Sequence, residues 1–404
     1  MLYKRSTYAL YCLHEETARD ASSRQQVFAF SALTGRPEAL EMDQLRALHL
    51  VPAERWSEPE TLQRLVPGIE PGGWHQLARS GLVVVQGSGD PLLDELCRRH
   101  EQLDADAWSG LAAVSHFTGR WHNMHHRIDP TEDRRKRDWG MLDAQGASDF
   151  LARHGQPPHH FHTIEGVSDR HPLPLVKRHG GFWETLSKRR TTRNFDSTRP
   201  MSQDELSTVL YYTFGCHGLA PMFDGIDGIK KTSPSGGGLH PIEIYPLVLN
   251  VEGLSPGLYH YNLAHHRLDQ MVEASTDEAR ELAIELAAGQ RYTQNAGVLF
   301  LMTARFFRNF WKYRRHEKAY GVLLMDAAHL SQTLYLVCAE LGLSAFFTAA
   351  VNGQNIEERL GLDGFQEGAL AICGCGHAAG KESPMEPRFR PFEPRLDAGE
   401  AVNA

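Results

Sequence analysis

Between Tyr320 and Leu341 the chain is apolar on nearly every side and then stops at Gly342. A surface helix shows one apolar stripe, whereas a helix apolar all round has to be enclosed by other elements. The run therefore predicts a central helix buried on most sides, around which the rest of the chain must be built. A length of 404 residues exceeds one ordinary domain and suggests two or three. Strand-like segments at Ile242–Asn250, Val298–Thr303 and Leu370–Cys375 are interleaved with helical ones without a regular βαβ repeat. That favours an α+β class over a doubly wound parallel sheet. Two capping boxes, Ser202 with Glu205 and Ser275 with Glu278, mark helix starts. After the first, Leu206, Val209, Leu210 and Phe214 fall on one helical face.

Three zones divide the chain. Residues 1–88 open on a strand-like run, Tyr8–Leu13, pass through short helical patterns around Leu45, Leu62 and Leu77, and close on Val83–Val85 after a glycine turn. Short helices followed by a turn and a β-branched run resemble a winged helix, but no basic recognition helix is present. Residues 89–175 read as a connector with some helix beginning near Asp90. This zone holds the charged run Thr131–Asp138 and the proline-histidine stretch Pro157–His162. Residues 176–404 carry the clearest regular structure. A net charge of −8 argues against a dedicated nucleic-acid binder. No run is read as a membrane span and Met1–Arg5 lacks a signal-peptide core, so a cytoplasmic protein is expected. The six cysteines form no C-x-x-C pair, and Cys373 and Cys375 are expected as buried thiols on one strand face. His122, His125, His126, His159, His160 and His162 lack the paired carboxylate or helical spacing of a zinc enzyme, so no metal site is expected.

Chemistry concentrates in Ser233–Tyr245, which reads S-P-S-G-G-G-L-H-P-I-E-I-Y. Glycine has no Cβ, so such a backbone can come close to a flat or phosphorylated ligand and offer it N–H groups. Surface turns collect the same residues. Two arginine clusters add weight: Arg189-Arg190-Thr191-Thr192-Arg193 upstream, and Arg388 with Arg390 downstream. A lone basic run is ordinarily a solvated helix end. With the glycines, these clusters suggest a site for an anionic, planar cofactor. Flavin mononucleotide (FMN) has a phosphate at one end and a ring that gathers negative charge on reduction at the other, so it needs cations at both.

Lys188–Phe195 (K-R-R-T-T-R-N-F), the glycine stretch and Pro387-Arg388-Phe389-Arg390 resemble three motifs of the FMN-dependent nitroreductase fold, with a mixed sheet flanked by helices and a dimeric site. Gly253–Tyr261 (G-L-S-P-G-L-Y-H-Y) narrows the resemblance to dehydrogenases that mature ribosomally made peptides, including azoline oxidases. It spans about 180 to 395. The resemblance implies that Arg189, Arg190 and Thr191 contact the phosphate and ribityl chain, and that Arg193 stabilises the reduced ring. Ser235, Gly236 and Gly238 would approach the flavin from the partner subunit of a homodimer, and Arg388 and Arg390 would close on the phosphate. Thr348, Ala349 and Ala350 match a segment whose backbone N–H groups face the ring, although many relatives carry glycine at the last position. Lys312 and Tyr313 match a pair thought to remove the substrate proton, since an ammonium beside a phenol favours the phenolate. The residues alone equally allow a surface lysine beside a packing tyrosine. His240 could touch substrate or flavin, or serve the turn.

The function implied is an FMN-dependent dehydrogenase or oxidase. It would take a hydride from a modified residue of a precursor peptide whose leader the N-terminal module recognises, with other maturation enzymes as further partners. Alternatives are an NAD(P)H-dependent nitro or quinone reductase, a dehydroamino-acid reductase using the same flavin, and a non-catalytic peptide-binding scaffold.

Overall fold

The computed structural model describes residues 1–17, 23–125, 173–223 and 225–380, with scattered positions between 151 and 171. The charged run 131–138, half of the proline-histidine stretch (Pro157, His159 and His162), His126, and Arg388 and Arg390 lie outside the described residues.

The chain opens with β1 (Leu2–Arg5), then a three-stranded antiparallel meander of β2 (Ala9–Thr17), β3 (Ser23–Ser31) and β4 (Arg36–Leu40). Three short helices follow, α1 (Met42–Leu50), α2 (Pro59–Leu65) and α3 (Pro71–Arg79), before β5 (Val83–Gln86) returns to pair with β1. Proline begins α2 and α3, where its missing N–H costs nothing and its fixed φ suits the helix. Leu48, Leu62, Trp74, Leu77 and Val83 form this unit's core with Val27 and Ala29 of β3.

The zone expected as a connector with some helix carries two packed helices between residues 91 and 119. Asp90 caps α4 (Pro91–Ala105) by accepting from the Leu92 N–H, and Ser109 caps α5 (Gly110–Gly119) in the same way. Trp108 is 1% exposed, packs on Phe306 and Phe310, and donates from Nε1 to the Phe365 carbonyl. Just beyond α5, buried Arg120 pairs with Glu357. Asp104 ties both halves together, accepting from Tyr8 Oη and Arg315 at 2.8 Å each.

The remainder comprises α6 (Phe182–Lys188), α7 (Gln203–Phe214), a hairpin of β6 (Gly218–Phe223) and β7 (Ile226–Lys230), and a six-stranded sheet with its helices. The sheet strands are β8 (Ile242–Val248), β9 (Gly257–Asn262), β10 (Arg267–Glu273), β11 (Val298–Arg305), β12 (Ser344–Thr348) and β13 (Glu367–Gly376), in the order β10-β9-β8-β11-β13-β12. Between them run α8 (Thr276–Leu286), α9 (Phe306–Tyr313), α10 (Ala319–Glu340) and α11 (Gly353–Leu360). Both capping boxes form as the sequence requires. Every residue of β11 from Val298 to Ala304 is buried, which is why its apolar run carries no alternation.

The α+β class holds, but the sheet is not mixed. Among the described residues every strand pairing in it is antiparallel, and parallel pairing is confined to single bridges, Thr191 with Ala345 and Met201 with Val251. Consecutive strands β8, β9 and β10 are joined by short loops, which can only reverse direction.

The central helix α10 is buried through Leu323, Asp326, Ala327, Leu330, Leu334 and Cys338, yet Leu324 and Met325 are exposed. It is thus enclosed on one side rather than on most sides. By length and composition alone it could cross a membrane; here it lies against α7, α6 and β12. Cys373 and Cys375 are free and buried, facing the sulfurs of Met302 and Met201.

Candidate active site

The glycine loop is held by a group that the sequence reading missed. Asp326, buried on α10, accepts from Ser235 Oγ and, at 2.9 Å, from the Gly236 N–H. Burial raises the Asp326 pKa above the ordinary carboxylate value, and those two hydrogen bonds partly oppose the shift. Its sequence signal was available: Asp326 is the one acid in the apolar run before Glu340. The Ser235 oxygen in turn accepts from the His240 N–H at 2.9 Å, closing the loop.

The glycines answer to this chain's own packing. A Cβ on Gly236 would lie 2.1 Å from Val322 Cγ1 of α10. Gly237 has φ 64°, and its Cβ would lie 2.7 Å from Tyr313 Oη and 2.8 Å from Lys312 Nζ. The Lys312 and Tyr313 side chains therefore converge on the glycine loop, and Lys312 Nζ sits 3.5 Å from the Gly237 carbonyl. Both project from the last turn of α9, after which Arg314 takes the unfavourable φ of 51°. Gly237→Ala is expected to shift the Lys312 and Tyr313 tips and cost about 1–3 kcal/mol of stability. Urea unfolding would read that loss, and an unchanged midpoint would show the loop to be slack.

The arginine segment meets α10 further along, at Tyr335. Residues 189–195 run beside β12, with the Thr192 N–H donating to the Ala345 carbonyl. Arg189 stacks over the Tyr335 ring at 5.6 Å, Thr191 Oγ1 lies 3.1 Å from Tyr335 Oη, and Arg193 covers Tyr292 at 5.6 Å. Neither Arg189 nor Arg190 has a carboxylate partner among the described residues. Gln290, also missed, braces the Thr348–Ala350 segment: it donates to Thr348 Oγ1 and to the Ala350 carbonyl, and accepts from Tyr292 Oη. The Ala350 N–H is taken by Thr348 Oγ1 at 3.2 Å, which leaves the Ala349 N–H without an acceptor among the described residues. Asp326 and Tyr335 are nine residues apart, about 13 Å along α10. Within one chain, then, the arginine segment and the glycine loop are displaced from each other.

A cleft of about 790 Å³ borders α9. Its walls include Gln102 at α4, Ile226 of the β6–β7 hairpin, Phe307 and Trp311 of α9, and Asp363. It joins the N-terminal half to the helix carrying Lys312 and Tyr313. Among the described residues, no cluster of three or more His, Cys, Asp or Glu is placed to hold a metal ion.

An antiparallel sheet around a central helix, with basic and glycine-rich segments against it, defines an α+β fold. Residues 186–377 match the nitroreductase family model. It is 28% identical over 269 residues to the trifolitoxin-processing protein TfxB of Rhizobium leguminosarum bv. trifolii, covering 64% of this chain and 70% of that protein. It is 28% identical over 177 residues to a Methanocaldococcus jannaschii protein assigned as a nitroreductase, covering 44% and 82%. A chain of the E. coli microcin synthetase McbBCD complex aligns over 70% of this chain and 97% of that one, at 18% identity and TM-score 0.46.

Proposed function

We propose that the protein is an FMN-dependent dehydrogenase or oxidase, working as a homodimer, that matures a ribosomally made precursor peptide. The observation that carries this reading is the convergence of Lys312 and Tyr313 on Gly237, which sets a proton-accepting pair on the glycine loop. Similarity to a trifolitoxin-processing protein supports the peptide substrate.

The donor set suits FMN. Arg189 and Arg190, lacking carboxylate partners among the described residues, would hold the phosphate with Thr191, Arg388 and Arg390. Arg193 and the open Ala349 N–H, with Thr348 and Ala350 framing it, would face the ring. Ser235, Gly236 and Gly238 would complete the site of a second copy. The displacement of glycine loop from arginine segment along α10, and the exposed Leu324 and Met325 on that helix, fit such an exchange. Bound there, FMN would supply the hydride acceptor. Tyr313, beside Lys312, would take the proton from the substrate Cα, while the cleft beside α9 would guide the peptide in. The N-terminal module would capture the leader as an added strand, for which the edge strand β4 leaves Arg36–Ala39 exposed. Other maturation enzymes could dock alongside.

Titrating FMN into the purified protein tests the cofactor. Quenched flavin fluorescence and a stabilisation of about 2.7 kcal/mol at 100-fold excess over Kd are expected. Arg189→Ala with Arg190→Ala should weaken binding at least about tenfold. Neither quenching nor stabilisation in the parent protein would remove the flavin from the account.

A further inference from the structure

Behind the glycine loop lies a smaller cavity of about 220 Å³ that shares Arg305 and Arg308 with the large cleft. Lys231 lines it and is nine-tenths buried. The Lys231 ammonium makes no hydrogen bond or ion pair with any described residue. Burying an ammonium without a counter-charge is costly. Burial accordingly pulls the Lys231 pKa down to about 8, with Glu243 and Cys216 opposing the shift and Arg305 and Arg308 adding to it.

The one carboxylate in the wall is already engaged. Glu243 is 2.8 Å from Arg305 Nε and 3.4 Å from His260 Nε2. Arg308 donates from Nε to the Leu239 carbonyl at 2.6 Å and meets no carboxylate among the described residues. His240, its pKa lowered to about 4 chiefly by burial and then by Lys231 and Arg308, is neutral near pH 7. Two cations, Lys231 and Arg308, thus face a cavity whose other walls include Ile229, Ile242 and Leu263. That combination suits a single negative charge on an aliphatic body, and Glu243 nearby disfavours a dianion.

We propose that this cavity is a specificity pocket for a carboxylate of the substrate peptide, borne one or two residues from the residue that reacts. The spacing comes from α9: Arg308 and Lys312 are four residues apart, so their side chains start about 6 Å from each other on one face. An extended peptide covers that distance in about two residues. The carboxylate is either the peptide's C-terminus or an acidic side chain. The peptide origin rests on the function proposed above, whereas the carboxylate site stands on the cavity alone.

The test needs neither flavin nor turnover. Full-length protein is titrated calorimetrically at pH 8 with N-acetyl-leucine, N-acetyl-leucinamide, the α-amide of N-acetyl-glutamate and inorganic phosphate, in two buffers of different ionisation heat. At least one carboxylate is expected to bind, with the leucinamide at least about tenfold weaker. Binding should take up about half a proton, because the Lys231 pKa rises when an anion reaches it. Preference for N-acetyl-leucine indicates a peptide C-terminus, and preference for the glutamate amide an acidic side chain. Lys231→Met should abolish the proton uptake and weaken carboxylate binding at least about tenfold, while raising the thermal midpoint because a buried charge is gone. Arg308→Gln should weaken binding and leave a smaller uptake per ligand bound, because Lys231 freed of that neighbouring cation is already more protonated at pH 8. The proposal falls if neither carboxylate binds at about 10 mM, if leucinamide binds equally well, if phosphate binds tightest, or if Lys231→Met keeps full affinity.

Discussion

Replacing Lys312 by alanine and Tyr313 by phenylalanine together is expected to slow peptide oxidation by a factor of about 10²–10⁴, the usual contribution of a positioned acid or base. The two tips meet at Gly237. If they act as one unit, each single variant should lose nearly as much as the double variant, since removing either partner disables the transfer. Folding should be nearly untouched: Lys312 is exposed, its contact with the Gly237 carbonyl is long at 3.5 Å, and phenylalanine keeps the Tyr313 ring. Single-turnover flavin reduction at saturating peptide, with FMN affinity measured separately, separates chemistry from binding. Full activity in the double variant would mean that these residues only pack.

The largest stability effect is expected at the joint between the two halves of the chain. Arg120 and Glu357 are 14% and 5% exposed in their side chains and pair across 237 positions of sequence. Burial lowers the Arg120 pKa and raises that of Glu357, the pairing opposing both shifts, so each charge depends on the other. Arg120→Met should cost about 3–5 kcal/mol, because it strands a buried carboxylate that also accepts from the Ala369 N–H. Adding Glu357→Met should recover much of the loss. The pH dependence has a definite sign. Without Arg120 the folded-state pKa of Glu357 climbs further above its unfolded value, so the folded state binds the extra proton. The single variant should therefore regain stability relative to the parent as pH falls toward the carboxylate range. Urea midpoints at two pH values would show this, and an equal loss at both would contradict it. Because Trp108, in the turn before α5, packs on Phe306 and Phe310 of α9, loosening this joint should also slow catalysis.

What the sequence disclosed and what it hid follow one physical division. Strands β8, β11 and β13 were legible because strands buried on both faces spell continuous apolar runs. Helices α7 and α8 were legible because their capping boxes satisfy orphan N–H groups locally. Strands β4 and β10 were not: Arg36-Pro37-Glu38 and the largely polar Arg267–Glu273 lie at sheet edges, held by backbone pairing that needs no side-chain pattern. The Lys312 and Tyr313 pair could be picked out by resemblance, but not its meeting with Gly237, 75 residues away in sequence. Nor could sequence show that Gly236 is glycine because Val322 occupies the space its Cβ would need. Asp326 and Gln290 act on loops distant in sequence, and neither belongs to a local motif.

The central claim is that this chain oxidises a peptide, and intact mass is the most direct measure of it. Full-length protein, loaded with FMN and supplied with oxygen, would be incubated with a short precursor peptide encoded beside it. The account predicts that the peptide loses two hydrogen atoms at each modified residue, and that the Lys312→Ala, Tyr313→Phe variant leaves its mass unchanged. Rapid bleaching of the flavin by NADPH, with the peptide's mass unchanged under every condition, would contradict it.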